Sequence, residues 1–87
     1  MTDFDKRLVK MVHRAGLETR NSYNTSEAAD IIGVSAKTVE RMIEEFEIID
    51  GEPKPGTLQG FLARSTIRIF HDELVSFFER GAKAICE

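Results

Sequence analysis

The sequence predicts a mainly α-helical fold with a small β-hairpin, and three observations carry that expectation. Residues 23–46, YNTSEAADIIGVSAKTVERMIEEF, hold two short amphipathic stretches on either side of Gly33-Val34-Ser35. Residues 3–15 repeat apolar side chains at helical spacing. A stretch rich in Gly and Pro then leads into the alternating, β-branched TIRIF of residues 66–70, which reads as a strand. The chain has 87 residues, room for one domain with a small core. The expected division is an N-terminal amphipathic helix and loop over 1–22, a domain over 23–80 and a tail over 81–87. Inside the domain, two helices span 25–46, a hairpin 47–70 and a last helix 71–80.

The first helix is expected over 3–15. Thr2 can cap it, and Asp3 and Asp5 suit the positive end of its dipole. Phe4, Leu8, Met11, Val12 and Ala15 fall on one face, with Lys6, Arg7, Lys10 and Arg14 largely off it. That apolar face either covers the core or makes a dimer contact, and the basic residues can accompany either. Gly16 and Leu17 fit a Schellman ending, with Leu17 packing back on Val12. Residues 18–24 are polar and read as a loop. Tyr23 is placed to staple the start of the next helix by a hydrophobic contact.

In the two-helix unit, Thr25 is the expected N-cap of a helix over 26–32, and Glu27 lies in its first turn. Gly33 stops that helix, because a left-handed C′ residue costs glycine nothing sterically. Ser35 caps the second helix, over 36–46. Val39, Met42, Ile43 and Phe46 point inward by their spacing, and Lys37, Glu40, Arg41 and Glu44 lie opposite.

The stretch EAADIIGVSAKTVERMI resembles the helix-turn-helix of excisionase-like and MerR-like DNA-binding domains. Glu27, Ala28, Ala29, Ile31, Ile32, Gly33, Val34, Ser35, Thr38, Val39 and Arg41 match that pattern in place. The resemblance extends over about residues 23–78 and implies a winged helix-turn-helix preceded by an extra helix. In such a unit the start of the second helix meets base edges. The candidate reading residues are therefore Ser35, Ala36, Lys37, Thr38, Glu40 and Arg41. Lys37 or Arg41 can donate to guanine, and Glu40 can accept from a cytosine amine. Thr38 can bond a phosphate or, instead, its own backbone. The competing account is a solvated helix face with intrahelical ion pairs such as Arg41–Glu45. Glu44 and Glu45 would repel phosphate, so the far end of the helix is expected to tilt away from DNA.

Ile48-Ile49 paired with Ile67–Ile69 would close a hairpin around the Gly/Pro segment, and a hairpin after a recognition helix is a wing. Lys54, Arg64 and Arg68 are its candidate phosphate or minor-groove contacts; the plain alternative is a solvated loop. Phe61 and Leu62 either cover the core or belong to the first wing strand. The last helix, over 71–80, starts with Asp72 and Glu73, buries Leu74, Phe77 and Phe78, and is expected to end at Gly81. Related domains often carry proline where this chain has Phe70.

Composition limits the function classes. Apolar residues make up 41% and charged residues 31%. No run approaches a membrane span, and no secretory signal is visible, so a cytoplasmic location is the expectation. Cys86 is the sole cysteine, which excludes an internal disulfide and a cysteine-built zinc site. His13 and His71 lack metal-ligand spacing, Cys86 has no activating neighbour, and GTLQG lacks the spacing and lysine of a phosphate loop. No enzyme, metal or cofactor is expected.

Net charge is −3, distributed as +2 over residues 1–22, −5 over 23–50, +2 over 51–70 and −2 over 71–87. For nucleic acid the charge of a face matters more than the total. The resemblance implies double-stranded DNA as partner. It allows a recombination directionality factor with an integrase partner, a transcription regulator, or a phage terminase small-subunit-like domain. MerR-like regulators continue into a long dimerisation helix and an effector domain, for which this chain is too short. The acidic two-helix unit suggests the alternative of a protein-interaction module with the same fold. The first helix is the expected source of a homodimer or a cooperative array.

Overall fold

The computed structural model describes residues 3–85 as four helices, a three-stranded antiparallel sheet and a separate two-stranded ribbon. Helix α1, Asp3–Arg14, buries Leu8 and Val12 and packs on two of the other helices, so its apolar stripe covers the core. Its end is the expected Schellman turn. The Leu17 N–H donates to the Val12 carbonyl at 3.1 Å and the Gly16 N–H to the His13 carbonyl at 3.0 Å. Gly16 has φ +79°, which a Cβ would disfavour. The cap expected from Thr2 lies outside the described residues, as does Cys86.

Strand β1, Ser22–Asn24, replaces part of the loop expected over 18–24. Its polar flanks gave no local sign of a strand. Its ladder comes from strand β5, Thr66–Phe70, in the register Ser22↔Phe70, Tyr23↔Ile69, Asn24↔Arg68. A distant partner therefore overrides local propensity. Tyr23 is wholly buried at the centre of this strand rather than acting only as a staple.

Helix α2, Thr25–Ile32, is capped by Asn24, one residue before the expected Thr25. Asn24 Oδ1 accepts from the Glu27 N–H at 2.7 Å, and Glu27 Oε1 accepts from the Asn24 N–H at 3.0 Å. This capping box satisfies two donors at once, which Thr25 at the same corner could not do with Glu27. Gly33 takes φ +89° and lets the Val34 N–H reach the Ala29 carbonyl. Helix α3, Ala36–Glu44, starts on Ser35, whose Oγ accepts from the Thr38 N–H at 3.1 Å.

The expected pairing of Ile48-Ile49 with Ile67–Ile69 does not occur. Strand β2, Ile48–Ile49, pairs instead with β3, Glu52–Pro53. Asp50 and Gly51 both take positive φ, 52° and 83°, in a two-residue type I′ turn. Closing two residues costs far less loop entropy than closing the seventeen of the longer alternative would, on the order of 2 kcal/mol less. Strand β5 pairs instead with β4, Phe61–Ala63, through Phe61↔Arg68, Leu62↔Ile67 and Ala63↔Thr66. The sheet order is β1-β5-β4. Phe61 and Leu62 thus lie in the first strand of the β4–β5 hairpin.

Helix α4, His71–Ile85, follows β5 with no intervening residue and runs through Gly81, where it was expected to stop. A helical glycine costs only about 1 kcal/mol relative to alanine, and the flanking Arg80, Ala82, Lys83 and Ala84 are good helix formers.

The core joins Leu8, Val12, Tyr23, Ala28, Ala29, Ile31, Val39, Leu58, Ile69 and Leu74. Leu58 comes from the Gly/Pro segment and is fully buried, a placement worth roughly 2 kcal/mol. Its N–H donates to the Met42 carbonyl at 3.2 Å. Next to it, Arg80 donates to the Thr57 carbonyl at 2.9 Å and pairs with Glu73 at 2.8 Å. Residues 57 and 58 are thereby pinned between α3 and α4.

Candidate nucleic-acid interface

Helix α3 turns one face to the core and the other to solvent. Val39 is buried, Ala36, Met42 and Ile43 pack against the core, and Lys37, Thr38, Glu40, Arg41 and Glu44 are exposed. The spacing of apolar residues every third or fourth position fixes this division. Among the predicted reading residues, Ala36 is therefore half-buried and offers little surface. Ser35 and Thr38 share a hydroxyl contact of 2.9 Å, so the Thr38 side chain is engaged at the helix start. Lys37 and Arg41 stand one turn apart and make no ion pair among the described residues; the anticipated Arg41–Glu45 pair is not formed. Phe46 lies beyond the helix, half-exposed.

The three basic residues assigned to a single wing are divided between two β units. Arg64 sits in the two-residue turn between β4 and β5, exposed, with φ 62°. Such turns favour glycine or asparagine there, so arginine holds this conformation at a cost. Arg68 lies in mid-strand. Its Nε donates to Ser22 Oγ at 2.8 Å and its Nη2 to the Ser22 carbonyl at 2.9 Å, so it clamps β5 to β1. Lys54 lies after β3, where its Nζ stands 3.9 Å from Glu47 Oε1.

Elsewhere in the fold runs a polar chain that local sequence reading missed. The Arg20 N–H donates to Tyr23 Oη at 3.1 Å, and Tyr23 Oη meets His71 Nδ1 at 3.0 Å. His71 Nε2 is 3.2 Å from Asp5 Oδ1. A neutral imidazole with its proton on Nε2 satisfies every link, because Tyr23 donates to Nδ1 and Nε2 donates to Asp5. The chain ties α1, β1 and the start of α4 together. Its Tyr23 is wholly buried and presents no nucleophile to solvent. Only three-dimensional contact brings positions 5, 23 and 71 together, so no sequence spacing signals them.

Glu27 is a second anchor. Its carboxyl is held below its ordinary range, first by the Asn24 backbone N–H and then by Arg20, which overcome the opposing effect of burial. The Arg20–Glu27 pair measures 2.7 Å. Among the described residues no cluster of His, Cys, Asp and Glu could hold a metal, and no helix is long and apolar enough to cross a membrane.

No protein-family model, curated protein or solved structure matches the chain.

Proposed function

We propose that this chain is a small winged helix-turn-helix protein that binds duplex DNA, similar to excisionase-like and MerR-like domains. In this reading α3 enters the major groove and the β4–β5 hairpin lies on the flanking backbone. The observation that carries it is the pair Lys37 and Arg41. They are exposed one turn apart, without ion partners among the described residues, on a short helix whose other face is sealed into the core. Arg64 at the hairpin turn supplies a second cationic point. Arg68 contributes by holding the hairpin to β1, and Lys54 serves the ribbon rather than the wing. The reading covers recombination directionality, transcription regulation and terminase-like DNA recognition, each with protein partners such as an integrase. Self-association through α1 would rely on half-buried residues such as Phe4, Met11 and Ala15, because Leu8 and Val12 are taken up by the core.

Titration of a labelled duplex at several salt concentrations tests this reading. Affinity that falls steeply with salt is expected, as phosphate contacts release counterions. Absence of binding to any duplex at low salt overturns it.

A second reading, a protein-interaction module with the same fold, draws on the −5 balance of residues 23–50 and on exposed Glu40, Glu44 and Glu45. It predicts no salt-dependent duplex binding.

A further inference from the structure

The outer face of the three-stranded sheet has a composition unlike the rest of this acidic chain. Tyr23 and Ile69 point into the core, so alternation places Phe61, Ala63, Thr66, Arg68, Phe70 and Ser22 on the opposite side. None of these is acidic. Phe61 and Phe70 stand diagonally across the β4–β5 ladder and stack, with ring centroids 4.3 Å apart and planes inclined by 21°. Even so, Phe70 remains 53% exposed. Arg68, opposite Phe61 in register, is fixed by two bonds to Ser22, and its Nη1 makes no hydrogen bond among the described residues. Arg64 stands at the adjoining turn. Glu27, the carboxylate that feels the Arg68 charge, is already paired with Arg20.

We propose that this face is a separate binding site for unpaired nucleotides, with Phe70 and Phe61 stacking on bases and Arg64 and Arg68 meeting the phosphates. A solvent-facing aromatic pair costs the protein exposed apolar surface and suits a ligand with flat, apolar faces. Two arginines, with the neighbouring Glu27 already paired to Arg20, add the sign of charge that a polyanion requires. Single strands combine both features, and proteins hold them by stacking on sheet aromatics within a cationic groove. The site lies on the side of the sheet away from Ile67, which faces Ile43 of α3 near Gly60. It shares Arg64 with the hairpin contact of the duplex reading but is separate from the exposed side of α3, and its stacking pair does not rest on that reading.

The test is fluorescence anisotropy of the full chain with a short labelled oligothymidine, and with an abasic strand of equal length, at low salt. Oligothymidine is expected to bind more tightly than the abasic strand. Phe70→Ala should weaken it at least about fivefold, the loss of one stacked base, and Phe70→Tyr should restore it. Unchanged circular dichroism for both variants would show that the exposed position tolerates replacement. Arg41→Ala should leave oligothymidine affinity unaltered, which keeps this site separable from the duplex surface. Equal binding of the two strands, no binding of either, or an unaffected Phe70→Ala would overturn the proposal.

Discussion

Tyr23 Oη and His71 Nδ1 lie 3.0 Å apart, although 48 residues separate them in the chain. The bond joins the middle of the first strand to the first residue of the last helix. It therefore ties the start of the two-helix unit to the end of the hairpin strand. Tyr23→Phe removes the only hydroxyl between the Arg20 amide and the imidazole and leaves both without their partner. A loss of about 1–3 kcal/mol in unfolding free energy is expected, measured by urea denaturation. A loss indistinguishable from zero would show that water replaces the hydroxyl at no cost.

Glu27 gives a pH-dependent contribution with a definite sign. Its folded-state pKa is lowered from 4.5, so its stabilisation is fully present above that value and fades as pH falls through the lower folded value. Glu27→Gln keeps an acceptor for the Asn24 amide but removes the charge. Denaturation midpoints of wild type and variant should differ at neutral pH and converge as acid is added. A gap that widens towards low pH would contradict the assignment.

Replacing Arg41 tests base reading against general attraction. On the duplex model, Arg41→Ala should lower affinity for the preferred site by about 1–3 kcal/mol and relax preference at one base pair, as read by competition with mutated duplexes. An unchanged best site would move the reading surface off this side of α3.

Arg64→Gly should divide binding from stability. Glycine accepts the positive φ that arginine tolerates at a cost, so the melting temperature should hold or rise. Affinity for all duplex sequences should fall together, with a shallower dependence on salt. A variant that melts lower and binds normally would make Arg64 a structural residue.

Gly81→Ala should stabilise the chain. The glycine lies inside α4, and a Cβ built there has no atom within 4 Å. An increase of roughly 0.5–1 kcal/mol is expected by chemical denaturation. Gly60 is more confined, because its Cβ would meet Ile67 Cγ2 at 3.0 Å and Ile43 Cγ2 at 3.3 Å, so these side chains would have to give way by a few tenths of an ångström.

The sequence was legible where local chemistry decides the outcome. Apolar spacing, Gly33, Gly16 and Ser35 located α1, α2 and α3 and the turns between them. It was least legible where distant segments complete each other. Strand β1 exists through its pairing with β5, and Leu58 is core because α3 and α4 close over it. The ribbon is a different case. Asp50-Gly51 between Ile49 and Glu52 is a strong short-range hairpin signal, and it prevails over the longer pairing that the isoleucines suggest. For the candidate interface, spacing identified the exposed side of α3. Strand register decided that Arg68 is tethered while Arg64 is not, and register depends on the partner strand.

The direct passage of β5 into α4 between Phe70 and His71 has a mechanical consequence. The hairpin has no hinge at that corner: one end of β5 continues as helix, and its ladder is locked to β1 by Arg68 and Ser22. A load applied at Arg64 is carried as if by a stiff lever into α4 and, through His71, into α1. On the duplex reading, an arm so anchored would meet the nucleic acid already in its working shape, and little chain entropy would be lost on contact.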